Sequence, residues 1–428
     1  MKTIEGFQSA KGALSRQAPT WEAPGADERE QAVKEIIDEV RRRGDAALLD
    51  YTLKFDTVKL TSLEVSKAQI TSAYQAVAAD LVSALKLAAE RIRSFHNRQR
   101  ESIFSESAET GLGWLVRPIN RVGVHVPGFT APLPSSLLMT AIPAKVAGVK
   151  EVILTTPPQS DGAVSPVTLV AADIAGIDRI FSVGGAQAIA ALAFGTESIP
   201  RVDKICGPGN IFVLLAKKML YGVVGIDGLY GPSEVIIIAD ETANPEYCAA
   251  DLLAQAEHDP LASAILITPS RSMADKVNQA VEQQLKGLSR KAIATESLQN
   301  RGMIVVIASI EEAIELANLY APEHLCLVVD NAASYVEQVS NAGCLFVGEN
   351  SLEVLVDYVA GPSHVLPTEG TARFSSPLNV SDFIKLTNLV AMEKDDLKKL
   401  GPAASIIARA EGLDAHAKAV EKRLETSS

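Results

Sequence analysis

A chain of 428 residues exceeds what one compact core usually holds, so two or more domains are expected. Its formal charge of −12, with 47% hydrophobic and 21% charged residues, describes a well-buried globular protein and excludes the basic face that nucleic acid or an anionic membrane requires. No apolar run approaches the roughly 20 residues that cross a bilayer, and residues 1–19 lack the apolar core of a secretory signal. Cys206, Cys248, Cys326 and Cys344 lie far apart with no C-x-x-C spacing, which reads as buried thiols in a reducing, cytoplasmic setting.

In chain order, residues 1–25 are polar with scattered Pro and Gly and read as an arm. Residues 26–43 have helical spacing and stop at Gly44. After residues 60–65, a long helix is expected from Lys67 to about Arg98, with apolar residues three and four apart. From Arg121 the texture changes to short β-rich runs alternating with helices. Strands are expected at 122–126, 151–155, 179–183 and 204–206. The loops Pro127-Gly128-Phe129-Thr130, Gly184-Gly185-Ala186-Gln187 and Gly207-Pro208-Gly209-Asn210 lead from strands into helices. A second series follows, with strands at 235–239, 263–268, 303–307, 325–329 and 344–347. This alternation predicts an α/β protein built from two parallel-sheet units of related, incomplete Rossmann-like layout.

The expected organisation is an N-terminal arm (1–25), one α/β domain from 26–120 together with 234–374, a second from 121–233, and a helical C-terminal segment (375–428) that reaches away from the body.

The stretch 244–260, NPEYCAADLLAQAEHDP, opens with an Asn N-cap, Pro at the first helical position and an acidic first turn, and Asp259-Pro260 ends it. Gln255 and His258 stand three apart on one face, a spacing that suits one metal ion or polar ligand, or simply a solvated helix end. The three glycine loops offer free N–H groups at helix N-termini where an anion such as a pyrophosphate can sit. No G-x-G-x-x-G occurs, so tight turns that need glycine explain them equally well.

Of six histidines, His96 lies on the long helix and reads as structural, and His125 falls inside a strand just before a glycine loop, facing the same cleft or the core. The others, His258, His324, His364 and His416, share the C-terminal half with Gln255 and Asp357 and have acidic neighbours. Neutral imidazoles with a carboxylate suit zinc, although each histidine taken singly has a structural reading. Glu323-His324 precedes a strand after the turn residue Pro322; if both face one cleft, His324 can act as a base and Glu323 can position a water.

The segments GGAQAIAALAFGTESIP, KICGPGN, GIDGLYGPSEV, DLLAQAEHDP, APEHL and DYVAGPSHVLPTEGTARFSS together resemble the histidinol dehydrogenase family, over about residues 26–420. The resemblance implies a cytoplasmic homodimer that oxidises L-histidinol through the bound aldehyde to L-histidine, the last steps of histidine biosynthesis, with one zinc per subunit and two NAD. It implies zinc ligands at Gln255, His258, Asp357 and His416, and an acid/base pair at Glu323 and His324. The four ligands and His324, with Ser233, His364 and Glu411, would surround the substrate; Gln187, Asn210 and the His125 position would face NAD. The C-terminal segment would cross to the partner, so Glu411 and His416 would complete the other subunit's site.

Three positions depart from the family pattern. His125 stands in place of a tyrosine, Phe129 in place of the second glycine of a PGG loop, and Tyr230 in place of a small residue before Gly231-Pro232-Ser233. They leave two rivals: a sister dehydrogenase acting on another polar primary alcohol, such as a sulfonated diol, and a zinc protein that has lost NAD.

Overall fold

The computed structural model describes residues 1–16, 19–22, 25–104, 112–128 and 132–425. Their contacts form two compact units, Met1–Gln99 with Ile119–Phe383, and Arg100–Pro118 with Ile384–Ser428. The strands, in chain order, are β1 (Lys2–Glu5), β2 (Leu112–Pro118), β3 (Arg121–His125), β4 (Glu151–Thr156), β5 (Arg179–Ser182), β6 (Lys204–Cys206), β7 (Gly225–Ile226), β8 (Glu234–Ala239), β9 (Ser263–Thr268), β10 (Met303–Val306), β11 (His324–Val328), β12 (Cys344–Val347) and β13 (Ile384–Val390).

Two parallel sheets build the first unit. One runs β5-β4-β3-β6-β7 and the other β1-β10-β9-β8-β11-β12, with parallel pairing throughout. The central strands EVIIIA and SAILIT are buried along their whole length, as parallel strands covered by helices on both faces must be. Burying Ile236, Ile237 or Ile238 contributes about 1.5–3 kcal/mol apiece. The expected α/β class with two parallel sheets is therefore what the chain forms.

Each sheet reverses its winding at its middle. In the five-stranded sheet the reversal falls between β3 and β6, whose carboxyl ends lead into the Pro127-Gly128 and Gly207–Asn210 loops. Such a switch point is where open α/β sheets take ligands. In the six-stranded sheet it falls between β8 and β11.

Four features differ from the sequence expectations. Residues 2–5 are not part of a free arm; they form edge strand β1 beside β10, and the helix Phe7–Ala13 that follows packs near Ile310–Tyr320. Four residues carry too little pattern to reveal an edge strand. The long helix is two helices, Lys67–Ala76 and Ala79–Phe104, the first fixed by a Ser66/Gln69 capping box. Helices Ala26–Arg43 and Asp45–Asp56 share a core with Phe181, Ile189 and Leu192 of the five-stranded sheet and its helices. The grouping of 26–120 with 234–374 did not anticipate that packing. The 375–428 segment is also not purely helical: β13 pairs antiparallel with β2 in the second unit, ahead of helices Lys394–Ala410 and Asp414–Glu425.

Asp56 ends its helix with a buried Oδ2 that has no hydrogen-bond partner. Burial lifts its carboxyl from 3.8 to about 6, and a negative charge at a helix C-terminus opposes the macrodipole. A carboxyl raised in the folded state favours folding most when protonated. Its contribution is complete below about pH 4 and is lost as pH rises through about 6. Asp56→Asn is therefore expected to add about 1–2 kcal/mol of stability at pH 7, after allowance for partial solvation, and nothing near pH 4. Denaturant titrations at the two pH values check this; an equal gain at both would contradict it.

Candidate active site

One cavity of about 220 Å3 in the first unit gathers most of the residues that the sequence singled out: Ser233, Gln255, His258, Glu323, His324, Asp357 and His364. It lies against the amino ends of β8 and β11, because Ser233 precedes β8 and Glu323 precedes β11. Pro208 of the Gly207–Asn210 loop lines the same cavity, and that loop follows the carboxyl end of β6. The carboxyl-edge rule thus locates the loop side of the site, while the acid/base side uses the opposite edge of the other sheet.

The helix Pro245–Ala256 begins as its sequence indicates, with the Asn244 side chain accepting from the Glu246 N–H. It ends two residues before His258, but a turn closed by His258 N–H to the Gln255 carbonyl (3.2 Å) keeps both side chains on the cavity. Asp357 comes from the short helix Glu353–Tyr358. Pro322 and Ala321, the latter at φ 51°, make the irregular turn that lets the adjacent Glu323 and His324 reach one site.

Hydrogen bonds fix the proton positions. His324 Nδ1 lies 3.2 Å from the Glu234 carbonyl, so Nδ1 carries the hydrogen and donates it. Its Nε2 is then the basic nitrogen, buried without a protein partner and 4.0 Å from Asp357 Oδ1. Glu323 Oε2 accepts from the Glu234 N–H at 2.9 Å. His364 Nδ1 donates to the Asp357 carbonyl at 2.8 Å, leaving Nε2 to accept the Ser136 hydroxyl at 3.1 Å.

Burial shapes the titration. It drives His324 down to about 3 and His364 down to about 4. It lifts Asp357 to about 6, against the pull of His258, and Glu323 well above the usual carboxylate range. Burial thus favours the neutral form of the imidazoles and of the carboxylates alike. The donors fit a cation: His258 offers an imidazole, Asp357 a carboxylate, and Gln255 an amide whose buried Nε2 has no partner. An amide flip would put the carbonyl oxygen in that position. This mixed N/O set suits zinc. Among the described residues no three His, Cys, Asp or Glu side chains form a ready-made metal group, so the set as it stands is incomplete.

Glu411 and His416 are carried by the second unit, at the end of Lys394–Ala410 and in the first turn of Asp414–Glu425, and both are exposed. His125, in β3, and Gln187 and Asn210, at the starts of helices that follow strands of the same sheet, do not line the cavity. His125 is buried, bonded to Thr155 Oγ1 at 3.2 Å, and held neutral, its value driven down to about 3 by burial and by Lys217. Gln187 is buried in the first turn of Gly185–Phe194. Asn210 caps Ile211–Leu220, accepting from Phe212 and Val213. Gly207, at φ +112°, is required as glycine because a Cβ would collide with the His125 carbonyl. Phe129 lies outside the described residues.

Several contributors were not singled out in the sequence. Ser136, at the start of a helix, is the partner of His364. Lys217 and Asp227 form a buried ion pair that holds Gly207, through Lys217 to its carbonyl (3.1 Å) and Asp227 from its N–H (2.7 Å). Lys217 also lies 5.0 Å from the ring centre of Tyr230, which lines the cavity. A lysine within the apolar run IFVLLAKKML was the available signal.

The histidinol dehydrogenase family profile matches residues 22–424. A histidinol dehydrogenase of Dehalococcoides mccartyi strain CBDB1 is 55% identical over 437 aligned positions, covering 99% of this chain and 100% of its own. One from Clostridium acetobutylicum is 52% identical, covering 92% of each. The crystal structure of histidinol dehydrogenase from Elizabethkingia anophelis superposes with a TM-score of 0.94 at 39% identity, over 100% of this chain and 98% of that one. Among the described residues no helix is long and apolar enough to cross a membrane.

Proposed function

The chain belongs to the histidinol dehydrogenase family of oxidoreductase enzymes, and on that premise we propose that it oxidises L-histidinol to L-histidine with zinc and two NAD, in the cytoplasm, as a homodimer. The observation that carries this reading is the single cavity in which Gln255, His258 and Asp357 meet a histidine whose free Nε2 is the basic nitrogen.

Gln255, His258, Asp357 and a partner protomer's counterpart of His416 would hold zinc, which would supply positive charge and orient the substrate's nitrogen donors. NAD, when bound beside the Gly207–Asn210 and Gly184–Gln187 loops, accepts hydride. The chain's own residues handle the protons. His324 Nε2 takes the hydroxyl proton of the alcohol, while Nδ1–H stays anchored on the Glu234 carbonyl. In the second oxidation Glu323 directs a water to the aldehyde carbon, supplying the second oxygen of the acid, and His324 again takes a proton. Ser233, His364 and the partner's Glu411 equivalent hold the substrate in place. Four electrons leave as two hydrides, and the aldehyde stays in the cavity between the two oxidations.

Support for shared sites comes from the second unit, where Glu411 and His416 are exposed along with Leu386, Ile406 and Ile407. An exposed apolar set of this kind suits a subunit contact. Mixing His324→Asn protein with His416→Ala protein, each inactive alone, is expected to restore activity, since a hybrid dimer carries one intact composite site. Failure to recover activity after confirmed subunit exchange would count against sharing.

Tyr230 favours a second reading, a sister dehydrogenase for another polar primary alcohol, because its ring narrows the cavity where a small residue is usual. The two are separated by kcat/KM for L-histidinol against polar primary alcohols without an imidazole. A preference for histidinol of roughly 10²-fold or more supports the first reading; the reverse preference supports the second.

A further inference from the structure

Arg16 follows the helix Phe7–Ala13, and all three of its guanidinium nitrogens donate hydrogen bonds. Nη1 and Nη2 form a fork on the Glu234 carboxylate at 2.6 and 2.7 Å. Nε donates to the Tyr320 carbonyl at 2.7 Å and Nη2 also to the Ala321 carbonyl at 3.2 Å, while the guanidinium carbon lies 3.9 Å from the Tyr320 ring centre.

Each of these partners leads to the acid/base pair. Glu234 holds both members through its backbone, its N–H bonded to Glu323 and its carbonyl to His324 Nδ1. Tyr320 and Ala321 end the helix before the turn that delivers Glu323 and His324. Ala321 sits there at φ 51°, a left-handed conformation that is unfavourable for a non-glycine residue and persists only if its surroundings enforce it. The Glu234 side chain is buried, with 1% exposure, so its charge depends on the Arg16 fork.

We propose that Arg16 is a positioning residue for the reaction: one guanidinium fixes the first residue of β8 against the end of helix Ile310–Tyr320, which leads into β11, and so sets where Glu323 and His324 stand in the cavity. The inference rests on the reading of Glu323 and His324 as the acid/base pair. It gives the N-terminal segment a role in catalysis although Arg16 does not line the cavity. A displacement of about 1 Å in a catalytic group can cost on the order of 10²-fold in rate.

Two full-length variants test it. Arg16→Met leaves the Glu234 carboxylate buried without its cation and could fail to fold. The double variant Arg16→Met/Glu234→Gln removes that charge while still depriving the Tyr320 and Ala321 carbonyls of their donors. The folded double variant is expected to retain its zinc and its KM for histidinol and NAD within about twofold, with kcat reduced about 10–100-fold. Added guanidinium ion at non-denaturing concentration is expected to restore part of kcat in the variant and to leave the parent unchanged. A parent-like kcat in the folded double variant, or a loss confined to KM or to thermal stability, overturns the inference. Absence of histidinol oxidation by the parent chain would instead overturn the acid/base reading beneath it, and the two failures are distinguished by that control.

Discussion

Replacing His258 with alanine is expected to strip most of the zinc and abolish turnover while leaving the fold intact. His258 sits just past a helix end and lines the cavity with Gln255 and Asp357. Its removal leaves one protomer with an amide and a carboxylate, a poor set for a metal that favours imidazole and thiolate donors. Changes to residues that only support metal ligands already cost 10–100-fold in affinity, so loss of a ligand is expected to cost on the order of 10²-fold or more. Metal analysis of dialysed protein checks this; full zinc occupancy in the variant would remove His258 from the ligand set.

The second large effect is expected at His324. Asparagine in its place retains an N–H near Nδ1, so the bond to the Glu234 carbonyl survives, but nothing replaces Nε2. Zinc content and thermal stability should remain close to those of the parent, and kcat should fall by roughly 10²–10⁴-fold, the usual cost of a lost general base. Single-turnover rates of NADH formation give the measurement directly. An unchanged rate would exclude His324 as the base and turn attention to Glu323.

Much of this was legible in the sequence because the relevant signals are local. The Asn244-Pro245 cap, the apolar runs of β8 and β9 and the Gly184–Gln187 and Gly207–Asn210 loops depend on neighbouring residues, and the folded chain forms each of them. The family segments then gathered Gln255, His258, Glu323, His324, Asp357 and His364 before any fold was known, and one cavity brings them together. What stayed hidden is long-range. Arg16 and Glu234 are separated by 218 positions, and nothing in a polar N-terminal stretch marks one arginine as the partner of a buried carboxylate. Ser136 and His364 are likewise 228 apart. The edge strand β1 and the β2–β13 pair were missed because edge strands draw their stability from the strand beside them more than from their own pattern. Tyr230 was noticed as unusual, but its seat over the Lys217–Asp227 pair required the fold.

The most direct test of the zinc-dependent four-electron reaction is to count NADH formed per L-histidinol consumed, with the protein as purified, after zinc is removed by chelation, and after zinc is restored. Two NADH per histidinol, lost with the metal and regained with it, is the predicted result. One NADH with aldehyde accumulating, or turnover that is indifferent to zinc, would contradict it.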